Sequence, residues 1–425
     1  MTDVRSDVQD AVEDACERAR AAGPTLAALS GAQRDAALLA VADALAAAQD
    51  ALLAANAVDV GRARFAGLSG PTLERLELDA DRLAALVEHV RGVAAAPDPV
   101  GEVLEEREVA PGRLLRHLRV PLGVIGVVTE ARPDAVVDLV ALALRSGNAV
   151  VLRAGTAARQ TSLAVVAAVR EALEAVGAPV EAVQGLDGQR REAATALVRA
   201  EGLVDLVVPR GGSALVQRVV AEATVPVLRT ASGGGAIVLD AGVGPERAVA
   251  MARAAVAPGS GGPVRTVLVH AAAAPAVLEA LLGALAADGA RLRGDAAARG
   301  AAPAGVLVRA AREDDWVGEG TAAEVAVGVV EHLAEALEQR TAFTSGHTEV
   351  LVTTSAASAE RFLAGVEAAT VLVNPPVELL SAAAQVEPAT SVQRVHARGP
   401  VGAAELMTTR WVLRDESLGA VTRRA

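Results

Sequence analysis

Residues 120 to 155 constrain the fold more than any other stretch. They read VPLGVIGVVTEARPD, then an apolar span, then SGNAVVLRAG. Positions 123 to 128 form an almost unbroken apolar run, as expected for a strand covered on both faces. Glu130, Arg132 and Pro133 stop the run, and charged groups at the end of a buried strand suit a ligand crevice. Positions 135 to 145 repeat apolar residues at helical spacing, and Ser146-Gly147-Asn148 closes that helix. Positions 149 to 152 make a second buried strand, so the stretch is a βαβ unit in a parallel sheet.

The rest of the chain alternates in the same way. Upstream, residues 5 to 22, 32 to 56 and 81 to 96 predict amphipathic helices, with Ser30 as N-cap of the second. Residues 57 to 80 read as helix and turn, 97 to 99 as a turn, and 102 to 120 as a hairpin-like extension around Pro111-Gly112. Downstream come a helix at 159 to 176, a strand at 180 to 184, a helix at 190 to 200 and a strand at 203 to 208. That strand runs into Pro209-Arg210-Gly211-Gly212 and a helix at 213 to 223. Strand, glycine loop and helix N-terminus together suit an anion, although a Gly-Gly turn before a helix also serves simply as a turn. A second set has strands at 236 to 240, 264 to 269, 304 to 309, 349 to 353 and 370 to 373. Its helices lie at 245 to 256, 274 to 288, 332 to 340 and 357 to 366. This predicts a second parallel-sheet domain.

Composition narrows the function classes. The 425 residues exceed one simple core, and 52% hydrophobic content against 1% aromatic content requires a core of Ala, Val and Leu. All 40 basic residues are Arg, which replaces Lys without loss on most solvated surfaces but not at a point-charge site or where a catalytic amine is needed. The net charge of −12 argues against a nucleic-acid partner. The single Cys excludes an intrachain disulfide and a Cys-based metal site. No signal peptide and no transmembrane run are read, and a cytoplasmic protein is the default.

The stretch from 120 to 155 resembles the gamma-glutamyl phosphate reductase branch of the aldehyde dehydrogenase superfamily. Ordered matches follow at LAANAVDV (53 to 60), LVVPRGG (206 to 212), HTEVLVT (347 to 353) and VHARGPVG (395 to 402). The resemblance implies an α/β, aldehyde-dehydrogenase-like fold: two Rossmann-like parallel-sheet domains plus a small oligomerisation arm. Residues 1 to 106 and 121 to 228, with 361 to 380, would bind the cofactor. Residues 229 to 360 would form the catalytic-type domain, and 107 to 120 with 381 to 425 the arm. It implies NADPH-dependent reduction of L-glutamate 5-phosphate to L-glutamate 5-semialdehyde in L-proline biosynthesis, by a homo-oligomer. NADPH or NADP would be held by Arg153, Gly155, Pro209, Arg210, Gly211 and Gly212. The substrate would meet Glu130, Arg132 and Asp134, although Glu130 and Arg132 also read as a structural ion pair.

Members of this family attack the acyl carbon with a Cys thiolate, giving a thioester that accepts hydride. Their Cys lies just before a strand resembling ETLLVH, which here is Arg265 to His270. Counting back from it puts Gly261 at the Cys position, with Ser260 beside it as a weak hydroxyl candidate. Asp134 stands where the family has Asn, Ser232-Gly233-Gly234-Gly235 lacks the family's Cys-His pair, and residues 374 to 383 depart from its NASTRFTDGG loop. Cys16, on a predicted helix, reads as a small buried hydrophobe. His347 and His396 stand without metal spacing and read as structural. Three functions stay open: the reductase, a silent relative that keeps the fold and nucleotide binding as partner or regulator, and an enzyme with a different carbonyl substrate.

Overall fold

A computed structural model describes residues 2–188, 190–230, 234–257, 264–317, 324–382, 390–393 and 396–415. Residues 1–229 with 401–425 form one compact unit, and residues 230–400 form another.

The first unit opens with helices α1 (Thr2–Ala27), α2 (Gly31–Ala47), α3 (Gln49–Phe65), α4 (Pro71–Leu76) and α5 (Ala80–Ala95). Ser30 caps α2 in a reciprocal box with Gln33. The single helix expected over 32 to 56 is two helices bent by 67°. The break falls at Ala48 (φ −84°, ψ 9°), with neither Gly nor Pro to announce it. By composition α2 and α3 together could pass for a membrane span, yet α2 packs on α5 and α7, and α3 on α7. No single helix among the described residues is long and apolar enough to cross a membrane.

Strands β1 (Val103–Ala110) and β2 (Arg113–Pro121) form an antiparallel hairpin, and the strand Met407–Asp415 pairs with the other edge of β2. Of the segments expected to form the arm, 103–121 and 407–415 make this three-stranded antiparallel sheet. Then follow β3 (Val124–Thr129), α6 (Pro133–Arg145), β4 (Ala149–Ala154), α7 (Arg159–Ala175), β5 (Val183–Leu186), α8 (Glu192–Val198), β6 (Leu206–Arg210) and α9 (Ser213–Glu222). The sheet is all parallel in the order β5-β4-β3-β6. Every residue of β3, β4 and β6 is buried, which is why their apolar runs were continuous rather than alternating.

Buried polar groups in this unit are tied to helix ends. The helix α7 has no side-chain cap of its own. Asp59 of α3 supplies one, accepting from the backbone N–H of Thr161 at 2.8 Å and from its hydroxyl at 2.9 Å. His89 of α5 meets Asp138 of α6 at 2.8 Å, with the carboxylate 6% exposed. The hydrogen bond to Asp138 raises the His89 pKa above 6.5, against the opposing effect of burial. The stabilisation is complete below the pKa of an unfolded imidazole and is lost as pH rises through the higher folded value. Thermal melts of wild type and His89→Ala should differ most near pH ~5 and converge toward pH ~9. A gap of constant size across that range would refute the pairing.

The second unit contains β7 (Gly235–Leu239), α10 (Pro245–Val256), β8 (Val264–His270), α11 (Ala274–Ala287), β9 (Arg291–Gly294), α12 (Ala296–Gly300) and β10 (Val308–Ala310). It continues with α13 (Glu313–Val317), β11 (Glu324–Val330), α14 (Leu333–Phe343), β12 (Thr348–Val352), α15 (Ala356–Gly365), β13 (Thr370–Val373) and α16 (Val377–Ala382). A two-residue pairing of Thr390–Ser391 with Gly399–Pro400 closes it. The seven strands are parallel in the order β10-β9-β11-β8-β7-β12-β13. Residues 361 to 380, expected with the first unit, belong here because the whole of β13 pairs with β12. The strand β11, absent from the sequence reading, sits between β9 and β8. One face of the sheet packs on Met251, Val277, Leu281 and Leu285, and the other on Leu333, Ala336 and Phe362.

Candidate active site

In a parallel sheet ligands bind outside the carboxyl ends of the strands, where the chain reverses its direction of travel across the sheet. The order β5-β4-β3-β6 places that point between β3 and β6. Glu130 follows β3 there, and Arg210, Gly211 and Gly212 end β6. The Glu130 N–H donates to Arg210 O at 3.0 Å, and its carboxylate accepts from Gly212 N at 3.3 Å. Glu130 thus spends its hydrogen bond on the glycine turn rather than on Arg132. The next residue, Ala131, holds a left-handed φ of 39° while 94% buried, a strain that non-glycine residues carry mainly where the surroundings dictate it.

The chain then enters α6 through Arg132 at the N-cap and Pro133 at its first position. Asp134 lies in the first helical turn, and its buried Oδ1 makes no hydrogen bond. A carboxylate is favoured there by the helix dipole. On the other side of β3, Arg153 is the penultimate residue of the buried strand β4, at 7% exposure. Its Nη2 donates to Gly188 O and Arg190 O, each at 3.1 Å, and its buried Nε bonds nothing. Burial first, then the charge of Arg191, pulls the Arg153 pKa below its ordinary value, while Glu130 and Asp187 oppose the shift.

The glycines make room for close approach. A Cβ on Gly211 would lie 2.7 Å from Glu130 Oε2, and one on Gly155 3.2 Å from Thr129 O. A Cβ on Gly188 would meet Ala154 O at 2.2 Å, so the β5–α8 loop passes the end of β4 only as glycine. Beside it, Leu152, Leu163, Val166 and Leu186 line a small apolar cleft with the buried, unpartnered Ser162 Oγ.

The structure thus gathers Glu130, Arg153, Gly155, Arg210, Gly211 and Gly212 at one edge, with Arg132 and Asp134 heading α6. Pro209 lies inside β6, in register with Val128, and presents no loop backbone. Ser260 and Gly261 lie outside the described residues, as do Ser232 and Gly233. Gly235 is explained by contact alone, since a Cβ there would sit 1.6 Å from Thr348 O. His347 is buried and meets Thr348 Oγ1 at 2.8 Å. Sequence reading missed Thr156, Asp187, Gly188 and Arg191, which stand in loops without apolar periodicity.

The aldehyde dehydrogenase family model matches residues 1–316. The chain is 44% identical to the gamma-glutamyl phosphate reductase of Kineococcus radiotolerans over 410 residues, covering 95% of each protein. It is equally similar to that of Clavibacter michiganensis, at 44% over 410 residues, covering 95% of this chain and 94% of that protein. The crystal structure of gamma-glutamyl phosphate reductase from Thermotoga maritima superposes with a TM-score of 0.84 at 32% identity, covering 95% of this chain and 98% of the other. The chain belongs to the gamma-glutamyl phosphate reductases of the aldehyde dehydrogenase family. Its fold is aldehyde-dehydrogenase-like, with two parallel sheets.

Members of the family use a nicotinamide nucleotide, and the crevice at the ends of β3, β4 and β6 fits one. It offers glycine turns that a Cβ would fill, a buried guanidinium with an unfilled donor, and the N-terminus of α9 after Gly212. The thiol that reductase chemistry needs is a different matter. Cys16, the only thiol in the chain, is fully buried in α1, and burial pushes its pKa up to about 12. A group held so firmly as the neutral thiol is no nucleophile.

Proposed function

We propose that the chain serves the reaction of its relatives, NADPH-dependent reduction of L-glutamate 5-phosphate to L-glutamate 5-semialdehyde, in cytoplasmic L-proline biosynthesis. Identity of 44% across 95% of the chain to proteins named for that reaction carries the reading. Arg153, Gly155, Gly188 and the Arg210–Gly212 turn would hold the nucleotide, which supplies hydride when bound. Arg132, at the head of α6, would meet the substrate anion. The arm, with Trp411 and Leu413 exposed, would join copies into a homo-oligomer.

A second reading rests on one observation: Gly261 at the nucleophile position and a single, buried thiol elsewhere. On that reading the chain is a silent relative that keeps the fold and nucleotide binding and acts as partner or regulator. Purified protein given glutamate 5-semialdehyde, phosphate and NADP⁺ separates them. Phosphate-dependent formation of NADPH supports the reductase. Nucleotide binding without turnover, at concentrations where a Cys-bearing relative is active, establishes the silent relative.

A further inference from the structure

A cavity of about 540 Å³ opens in the first unit, at the end of its sheet opposite the crevice. Gly123 and Gly147, which line it, precede β3 and β4, whereas Glu130 and Gly155 follow those strands. Its other walls come from the last turns of α1, the loop at Val100 and Gly101, the base of β2 and the strand 407–415. It therefore lies where the arm joins the parallel sheet. Its size falls within the range of small-molecule sites, about 300–1,000 Å³.

The lining divides into two chemistries. Val100, Leu118, Val120 and Pro121 give apolar walls, each only half-buried, and a Cβ on Gly23 would meet nothing within 4 Å. The charged groups on the lining are two guanidiniums, Arg20 and Arg410, and among the described residues no carboxylate lines it. Arg20 is balanced. Its Nη1 donates to Asp205 Oδ2 at 2.9 Å, and the same oxygen accepts from the Val124 N–H at 2.8 Å. Arg410 is exposed on the strand 407–415 and makes no hydrogen bond or ion pair among the described residues. One uncompensated guanidinium beside an apolar cleft suits a ligand with one negative charge and an apolar body. A neutral hydrocarbon would leave the guanidinium unpaired, and a dianion would bring a second charge against apolar walls.

We propose that this cavity binds a small aliphatic monocarboxylate, with its carboxylate on Arg410 and its body against Val100, Leu118, Val120 and Pro121. Held there, the ligand touches α1, the loop at Val100 and two strands of the arm at once, and so ties the arm to the helices beside it. Its binding needs neither nucleotide nor turnover.

Calorimetry on the full chain tests this with butanoate, hexanoate, octanoate, 1-octanol and octylammonium as probes. Wild type should bind octanoate at least about tenfold more tightly than 1-octanol, and octylammonium least of all. Affinity should rise about threefold to fourfold for each methylene added between butanoate and octanoate. Arg410→Gln, an exposed change that spares the core, should weaken octanoate about tenfold and leave 1-octanol within about twofold. Ala27→Leu, which adds volume to the lining, should weaken both. Saturating octanoate should raise the melting temperature of wild type and leave that of Ala27→Leu unchanged. Equal affinity for octanoate and 1-octanol overturns the proposal, as does an Arg410→Gln variant that binds octanoate like wild type. Absence of octanoate binding overturns it too. So does binding confined to protein dilute enough to be monomeric, which would mean that a second copy of the chain fills the cavity.

Discussion

Replacing Gly261 with cysteine is expected to raise phosphate-dependent NADPH formation from glutamate 5-semialdehyde by several orders of magnitude. A thiolate would add to the aldehyde carbon, the adduct would become a thioester on giving its hydride to a bound nicotinamide, and phosphate would then displace the thiolate to leave the acyl phosphate. Glycine offers nothing that can add, and the hydroxyl of Ser260 would give an ester, a poorer partner for hydride. In enzymes where a covalent nucleophile acts as a unit with its surroundings, its removal costs on the order of 10⁶ in turnover. Restoring sulfur recovers as much of that factor as the remaining groups still support. Asp134, an acceptor where the family carries Asn, sets one limit on the gain. A Gly261→Cys, Asp134→Asn double variant should exceed the single one. Equal rates for wild type and Gly261→Cys would show that turnover proceeds without covalent attachment.

The largest effect on stability is expected from breaking the ion pair inside the second unit. Arg340 of α14 and Glu349 of β12 are 3% and 1% exposed. The Arg340 Nε bonds both carboxylate oxygens, at 2.9 and 3.1 Å, and its Nη1 bonds Trp316 O at 2.9 Å. Its Nη2 lies 2.9 Å from Glu349 Oε1 but out of hydrogen-bond alignment. Burial pushes the Glu349 pKa above the usual carboxylate value even against the pull of Arg340, so desolvation outweighs attraction here. The pair is therefore weak as a source of net stability, yet costly to halve. Glu349→Ala should destabilise the protein by about 3–5 kcal/mol, because it strands a buried guanidinium. An Arg340→Met, Glu349→Leu double variant should recover most of that loss in the same urea titration. A single variant within about 0.5 kcal/mol of wild type would mean that water reaches the site.

What the sequence disclosed follows from burial on both faces. The β3–α6–β4 unit was legible because runs such as Val124–Thr129 and Ala149–Ala154 have no polar face to keep. The site residues that came together were those ending adjacent strands: Glu130 after β3, Arg153 in β4, Arg210 in β6. Sequence order alone places them at one edge once the sheet is parallel. The seven-stranded sheet was harder. Gly328 interrupts β11 beneath Trp316, whose ring a Cβ would approach to 2.8 Å, and so masks a buried strand as a flexible stretch. The bend at Ala48 is set by α2 and α3 packing on different partners, which no local residue announces. Gly188 was invisible because its part depends on a loop crossing the end of β4, where a Cβ would meet Ala154 O at 2.2 Å. That crossing is a tertiary fact. The choice of Glu130 between Arg132 and the glycine turn was equally beyond a linear reading.

The position of Cys16 has one more consequence. A sulfur sealed in the interior and held protonated offers nothing to peroxide, nitrosothiol or alkylating drug, so oxidative stress that silences a thiolate enzyme should leave the native chain unmarked.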